Sequence, residues 1–147
     1  VVEAALGADM VAMSEAKELT EKGFLTSSCC PAFVSYIKST FPDLVPFISH
    51  NCSPMVEISK YIKEKCKAIA SRAAEIDVMI NEFAKGWKTT RMNKVDLTIL
   101  RLAVYEMKWD EDVPVSVAIN EAVELAKGFG GEESPSFING ILAKLAE

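Results

Sequence analysis

The sequence predicts an all-α fold, and three observations support this prediction. Apolar residues recur at intervals of three and four, which is the spacing of one helix face. No segment has the alternation of β-branched and polar residues that is typical of a strand. Glycines and prolines, which end and begin helices, separate the apolar stretches. We therefore expect a helical bundle of about six or seven helices.

The first predicted helix covers residues 1–22, a stretch rich in Ala, Glu and Met that has an apolar stripe. Gly23 follows it and is a natural helix stop, because glycine readily adopts the left-handed backbone found after helices. Residues 24–26 form the only short segment that we expect to be extended.

The second predicted helix follows this extended segment. Ser28 is expected to cap it, with Pro31 in its first turn and its end at Thr40. Pro42 and Pro46 then interrupt the chain and predict a short helical piece.

The longest element is expected after Ser53, a capping residue that is followed by a proline at the first helical position. Apolar residues follow one another by three or four positions from residue 55 to residue 87, with no Gly or Pro before Gly86. This spacing predicts one continuous helix of about eight turns. It would be the long central helix of the fold.

Three more helices complete the prediction, and each has a capping residue or a glycine at one end. They run from 95 to 109 after Asn93, from 114 to 129 before Gly130 and Gly131, and from 135 to 146 after Ser134.

The helix from residue 95 is apolar almost all round, so we expect it at the centre of a bundle. Arg101 and Glu106 are the polar residues of this helix that would need partners there. A buried guanidinium requires an acceptor, and Asn120 or Glu121 on the following helix could supply one. We expect these four residues to form a structural polar network.

The charge balance limits the partners of the chain. It has 16 basic and 21 acidic residues and a net charge of −5, which does not favour nonspecific attraction to a polyanion. Any contact with nucleic acid must therefore be local. The candidate cluster is Lys85, Lys88, Arg91 and Lys94 around Trp87. The alternative is a solvated basic turn between two helices.

The sequence predicts no membrane segment. It has no run of about 18 apolar residues, and its N-terminus lacks the basic, apolar and small-residue order of a signal peptide. We expect a cytoplasmic location.

The second half of the chain has a long series of residues in a fixed order and spacing. The series is Ile76-Asp77, Trp87, Arg91, Val95-Asp96, Ile99-Leu100-Arg101-Leu102-Ala103, Tyr105-Glu106, Val113-Pro114, Val117, Ile119-Asn120-Glu121-Ala122-Val123-Glu124-Leu125-Ala126-Lys127, Phe129-Gly130, Ser134 and Phe137-Ile138-Asn139-Gly140-Ile141-Leu142. Over residues 64–147 it closely resembles the C-terminal part of the NusB family of transcription antitermination factors.

This resemblance implies a non-enzymatic binding module built from two packed helical bundles. It also implies two partners, a boxA-type RNA element and the small-subunit ribosomal protein NusE. By the family pattern, Asp96 and Glu133 would lie toward the protein partner. The alternative is that both are helix N-terminal charges, which interact favourably with the helix dipole.

The start of the chain departs from the family pattern. The N-terminal helix of the family has a cluster of arginines that contacts RNA, whereas this chain has acids, alanines and methionines there. Neutralisation of phosphates supplies most of the binding energy for nucleic acid. We therefore expect RNA binding to be weakened or lost.

The first half of the chain resembles a different family. The residues are Ala5-Leu6-Gly7-Ala8-Asp9, Glu15-Ala16, Thr26-Ser27-Ser28-Cys29-Cys30-Pro31-Ala32-Phe33, Phe41-Pro42-Asp43-Leu44 and Ser53-Pro54-Met55. Over residues 1–63 they resemble a piece of the H-cluster domain of iron-iron hydrogenases. By that pattern Cys29 would be the proton-relay thiol and Cys30 a ligand of the four-iron cubane.

The blocks that would supply the other three cubane ligands, Met-Pro-Cys and Cys-x-x-x-Cys, are missing from the chain. A cubane with one protein thiolate of four has no stable site. We therefore expect no cofactor, no metal and no catalytic residue. A redox or iron-sulfur site at Cys29 and Cys30 is the alternative.

The two resemblances meet near residue 63, inside the predicted long helix. We expect residues 1–63 to be a hydrogenase-like segment that is not an independent domain, and residues 64–147 to be a NusB-like bundle. The apolar spacing continues across the junction, which favours one cooperative fold. A chimeric or designed helical protein without inherited activity is a further alternative.

Overall fold

The computed structural model describes residues 4–84 and 86–147. Its seven α-helices and two 3-10 turns confirm the all-α prediction. The predicted helix start at residues 1–3 lies outside the described residues. The helices are α1 (Ala4–Lys22), α2 (Pro31–Thr40), α3 (Pro54–Ser71), α4 (Ala73–Phe83), α5 (Lys94–Trp109), α6 (Val115–Phe129) and α7 (Ser134–Ala146).

The described residues divide into two compact units, residues 4–65 and residues 66–147, and the division falls inside α3. None of the helices in the described ranges is long and apolar enough to cross a bilayer.

The first unit contains α1, α2 and the first part of α3. Helix α1 ends where expected, and Gly23 has a φ of 73° after it. The predicted extended segment pairs at one position, where Thr26 forms a parallel bridge with Ile48. A 3-10 turn over Pro42–Phe47 is the short helical piece that the prolines predict.

The start of α2 differs from the prediction. Cys30, in an extended conformation, is the N-cap residue, and its side chain makes no capping bond. Ser28 is not the cap because its hydroxyl donates to the carbonyl of Asn51. The neighbouring Thr26 is hydrogen-bonded to residues 47 and 49, so this segment is paired before the helix begins.

The Glu18 carboxylate fixes the loop before α3 to α1. It accepts hydrogen bonds from Lys22 Nζ at 2.7 Å, Ser49 Oγ at 3.2 Å and Asn51 Nδ2 at 3.3 Å. His50 Nδ1 lies 2.5 Å from Glu18 Oε1, and the His50 backbone N–H also donates to the carboxylate. The hydrogen bond from Lys22, followed by that from His50, lowers the pKa of Glu18 from 4.5 to about 2.

This shift predicts acid sensitivity. Because the folded-state pKa of Glu18 is depressed, its stabilising contribution is present above pH 4.5 and is lost as the pH falls toward 2. We expect Glu18→Gln to lower the urea midpoint at pH 6. Between pH 6 and pH 3, the urea midpoint of this variant should fall less than that of wild type, as measured by circular dichroism. Glu21→Gln, at an exposed position on the same helix, is the control, and its urea midpoint should fall as much as that of wild type. An equal fall of the midpoint in wild type and in Glu18→Gln would contradict this role of Glu18.

The expected continuous helix from residue 55 to residue 87 is wrong. It breaks at Arg72, which has φ −104° and ψ 5°, and α4 starts at the next residue. Just before the break, the Ser71 hydroxyl donates to the Ala68 carbonyl at 2.8 Å and the Arg72 N–H donates to the Ile69 carbonyl. These bonds to the residue three positions back replace the regular helical pattern and favour a break.

Helix α4 also ends earlier than expected, at Phe83, so Trp87 belongs to a turn. Gly86 has a φ of 85°, a conformation that glycine adopts without strain. The Asn81 side chain then holds the turn: its Oδ1 accepts from the backbone N–H of Thr89 at 2.8 Å, and its Nδ2 donates to Thr89 Oγ1 at 3.1 Å.

The second unit is organised around α5, as the sequence predicts. Helix α5 packs against α4, α6 and α7, and Leu100 and Val104 on it are fully buried. Asn93 caps it by accepting from the N–H of Val95. The other fully buried large side chains of the core are Ile76, Ile80, Ile138 and Leu142.

Helices α6 and α7 follow the prediction closely. Helix α6 ends at Phe129 with Gly130 as its C-cap residue. Helix α7 starts one residue early, because Ser134 lies inside the helix and Glu133 is the N-cap residue.

Candidate functional site

An open pocket of about 830 Å³ lies in the second unit, and we call it the Trp87 pocket. It is formed by the turn after α4, the start of α5, the α6–α7 turn and the first turn of α7. Its described lining residues are Trp87, Met92, Asn93, Asp96, Gly131, Glu132, Glu133, Ser134, Ser136 and Phe137.

Two aromatic side chains form one side of this pocket. The Trp87 and Phe137 rings meet edge to face, with centroids 6.1 Å apart and planes at 67°. Trp87 is 58% exposed, so much of the indole is open to solvent. The left-handed Gly86 and the Asn81 bonds to Thr89 determine where the chain places this indole.

The α6–α7 turn is held by the buried Ser134. Its Oγ accepts from the N–H of Gly131 at 2.9 Å, and its own N–H donates to the Gly131 carbonyl at 3.0 Å. Gly130 permits this close approach, because a Cβ there would lie 2.6 Å from Ser134 Cβ. The turn thereby presents Glu132 and Glu133 at the edge of the pocket.

Asp96 is the buried carboxylate of the pocket. It lies in the first turn of α5 and is 9% exposed. Its Oδ1 has no hydrogen-bond partner among the described residues. An unsatisfied buried acceptor costs about 1–3 kcal/mol. The positive end of the α5 dipole favours a carboxylate here, but it does not supply the missing donor.

The charge of the pocket is negative. Asp96, Glu132 and Glu133 contribute carboxylates, and none of the described lining residues is Lys, Arg or His. A site of this kind attracts cations and hydrogen-bond donors and repels phosphate groups.

The structure brings together the two residues that the NusB resemblance placed toward a protein partner. Asp96, in the first turn of α5, and Glu133, the N-cap residue of α7, line the same pocket. Glu133 is exposed, whereas Asp96 is buried. Their role in binding remains a prediction.

The basic cluster lies outside this pocket lining. Lys88 and Arg91 belong to the short turn before α5, Lys94 is the first residue of α5, and all three are exposed. Lys85 lies outside the described residues. Contact of these side chains with nucleic acid remains a prediction.

Arg101 has a different partner from the expected one. Its Nε donates to Asp77 Oδ1 at 2.8 Å and its NH2 group donates to Asp77 Oδ2 at 2.7 Å. This bidentate pair raises the pKa of Arg101 above its ordinary value. The observed acceptor is Asp77 of α4, a residue outside the expected set. A polar network that joins Arg101, Glu106, Asn120 and Glu121 remains a prediction. Asn120 and Glu121 lie exposed on α6, and Glu106 is half-buried on α5.

The cysteines do not gather into a ligand set. Cys29 and Cys30 are exposed before α2, and Cys29 Sγ lies 3.0 Å from Ser27 Oγ. Cys52 Sγ instead accepts from Lys60 Nζ at 3.3 Å. Within residues 4–84 and 86–147, no three His, Cys, Asp or Glu side chains are placed to hold a metal ion. These side chains therefore do not fit a four-iron cubane, which needs a complete set of ligands.

Sequence reasoning missed the aromatic side of the pocket. The sequence places Trp87 at the end of the predicted long helix and beside the basic cluster, and Phe137 in the last predicted helix, whereas the structure places the two rings in contact. Gly86, together with Asn81 and Thr89, was the signal for a turn that could have exposed Trp87.

Two family models match the chain. The model described as the NusB family matches residues 46–147. The model described as the C-terminal domain of the iron-only hydrogenase large subunit matches residues 1–81. The two matches overlap over residues 46–81.

The similar curated proteins are named transcription antitermination protein NusB. The protein of Agathobacter rectalis is 57% identical over 94 residues, which are 64% of this chain and 72% of that protein. The protein of Acetivibrio thermocellus is 57% identical over 88 residues, 60% of this chain. The match spans only 61% of the Acetivibrio protein, less than two thirds of its length.

A solved structure of T. maritima NusB is similar to the structure of this chain, with a TM-score of 0.59 and 28% sequence identity. The similarity covers 76% of this chain and 79% of the T. maritima chain.

Proposed function

The chain belongs to the NusB family, and from this premise we propose that it is a non-enzymatic binding module of transcription antitermination whose protein partner is NusE. Such a role would place it in the cytoplasm with the transcription machinery. The family match covers the whole second unit, which contains the Trp87 pocket.

The Trp87 pocket is the observation that supports this proposal most strongly. It combines a buried carboxylate, exposed carboxylates and a largely exposed indole in one concave surface. Exposed aromatic residues next to polar groups are typical of protein interfaces. Asp96 and Glu133 are the residues that we expect to contact the partner.

RNA binding is proposed to be weak. The net charge of the chain is −5, and the described lining of the pocket is acidic. Helix α1 contains no arginine. Any contact with a boxA-type RNA would depend on the exposed Lys88, Arg91 and Lys94, because cations must neutralise the phosphates.

A charge reversal at Glu133 tests the protein-partner role. Purified NusE should be retained by the immobilised wild-type chain at micromolar concentration. Glu133→Lys should weaken this retention about tenfold, because one rim charge reverses while the fold is unchanged. Glu111→Lys, at an exposed position between α5 and α6 and outside the pocket lining, is the control and should bind as wild type does. No retention of NusE by the wild-type chain would exclude the proposal.

We also propose that the chain has a composite origin, with a hydrogenase-like first segment joined to a NusB-like second segment. The hydrogenase model matches residues 1–81, and the boundary between the compact units lies close to the junction inferred near residue 63. A redox role of Cys29 and Cys30 is not favoured, because the ligand set of a cubane is not assembled around them.

A further inference from the structure

Three reactive side chains meet at the start of α3, in the first unit. Cys52 lies two residues before the helix, and Glu57 and Lys60 lie in its first two turns. The Lys60 ammonium donates to Cys52 Sγ at 3.3 Å and to Glu57 Oε1 at 2.8 Å. The proposed binding of NusE uses none of these side chains.

Small molecules in solution can reach this cluster. The Lys60 side chain is 56% exposed, and Cys52 is half-buried. The oxidation of a cysteine depends on its access to solvent and on its thiolate character. Access is therefore sufficient for a small oxidant such as hydrogen peroxide.

The charge of Lys60 favours a nucleophilic sulfur. The hydrogen bond to Glu57, followed by that to Cys52, raises the pKa of Lys60 above its ordinary value. Lys60 is thus an ammonium at neutral pH, and a neighbouring ammonium favours the thiolate form of a cysteine. The thiolate is the form that attacks peroxides. Cys29 has a different neighbour, since its sulfur contacts the hydroxyl of Ser27.

We propose that hydrogen peroxide converts this pair into a covalent cross-link, with a bond between Cys52 Sγ and Lys60 Nζ. The short distance between the two atoms supports the proposal, because the nitrogen already lies beside the sulfur that it must attack. The cross-link would fasten the residue before α3 to the second turn of that helix.

The reaction consumes one peroxide and releases two waters. The Cys52 thiolate attacks one peroxide oxygen, so that an S–O bond forms, the O–O bond breaks and hydroxide leaves. The hydroxide takes a proton from the Lys60 ammonium and becomes the first water. The free amine then attacks the sulfur of the sulfenic acid. The S–N bond forms, the S–O bond breaks, and the hydroxyl leaves with a proton from the nitrogen as the second water.

Peptide mapping of the peroxide-treated full chain tests the proposal. After treatment, free thiols are alkylated and the protein is digested with trypsin without a reductant. Trypsin requires a cationic side chain and should not cleave after a cross-linked Lys60. Both residues should therefore remain in one peptide, residues 39–63, in which Cys52 is the only cysteine. This peptide should be unalkylated and lighter by two hydrogen atoms than its sequence requires.

Two matched variants identify the nitrogen. Lys60→Arg keeps the positive charge but lacks the amine, so its Cys52 should stop at the sulfenic acid, which dimedone traps. Labelling of Cys52 by dimedone should be at least about tenfold lower in wild type than in this variant, because the neighbouring amine reacts first. Lys63→Arg, at an exposed position on the same helix, should form the cross-link as wild type does.

Other results would overturn the proposal. Normal cleavage after Lys60 in wild type, with equal dimedone labelling of Cys52 in wild type and Lys60→Arg, would mean that the amine does not capture the oxidised sulfur. Alkylation of Cys52 in full after peroxide treatment would mean that this thiol is not oxidised. A disulfide between Cys52 and another cysteine would assign the oxidation to a different partner.

Discussion

Asp77→Ala is expected to lower the free energy of unfolding by about 1.5–3 kcal/mol, since it leaves a half-buried guanidinium without its acceptor. Both oxygens of Asp77 are used by Arg101, and the side chains are 25% and 32% exposed. The pair joins α4 to α5, which packs at the centre of the second unit. Urea unfolding of wild type and variant measures the difference.

A double-mutant cycle separates the pair from other effects of truncation. Arg101→Ala should lower the free energy of unfolding by a similar amount. The double variant should lower it by clearly less than the sum of the two single changes. Glu124→Ala is the control, because the Glu124–Lys127 pair is exposed and should contribute less than about 1 kcal/mol. An additive cycle would show that Asp77 and Arg101 do not stabilise one another.

Gly130→Ala is the second substitution for which we expect a large effect. It should lower the free energy of unfolding by about 1–3 kcal/mol, because the added methyl group overpacks the turn. A Cβ there would lie 2.6 Å from Ser134 Cβ and 2.7 Å from the Ala126 carbonyl oxygen. The α6–α7 turn must open to accept it, and the hydrogen bond from the Gly131 N–H to Ser134 Oγ is expected to lengthen. We therefore expect weaker partner binding together with a lower urea midpoint.

Gly128→Ala is the matched control for this substitution. Gly128 lies in the same helix α6, and apart from its chain neighbours and the backbone of its own helix no described atom lies within 4 Å of a Cβ built on it. This change should stabilise the protein by about 0.5–1 kcal/mol, because alanine favours the helix. If Gly130→Ala stabilised the protein as much as Gly128→Ala, the close approach at Ser134 would not exist.

The local elements were largely predictable, because their signals lie in a few neighbouring residues. Gly23 ends α1 with a positive φ, Asn93 caps α5 through its side chain, and Gly130 ends α6. The exceptions have competing interactions. Ser28 bonds to Asn51 and does not cap α2, and a local bond of Ser71 accompanies the break before α4.

The pocket was predictable only in part. Asp96 and Glu133 were singled out by family resemblance, but the sequence gives no distance between the starts of α5 and α7. The residue that accepts from Arg101 depends on which helix packs beside that turn of α5. The spacing of apolar residues along the sequence does not determine which helix this is. Asp77 follows the fully buried Ile76, which places it at the border of the core where a paired charge can lie.

The most direct test of the central claim, that the Trp87 pocket is the partner-binding surface, is one titration of the ¹⁵N-labelled full chain with purified NusE. The account predicts that the Trp87 indole N–H signal shifts or broadens in a saturable way at micromolar concentration, while the Trp109 signal stays in place. Saturable binding that leaves the Trp87 signal unchanged would place the partner elsewhere and contradict the claim.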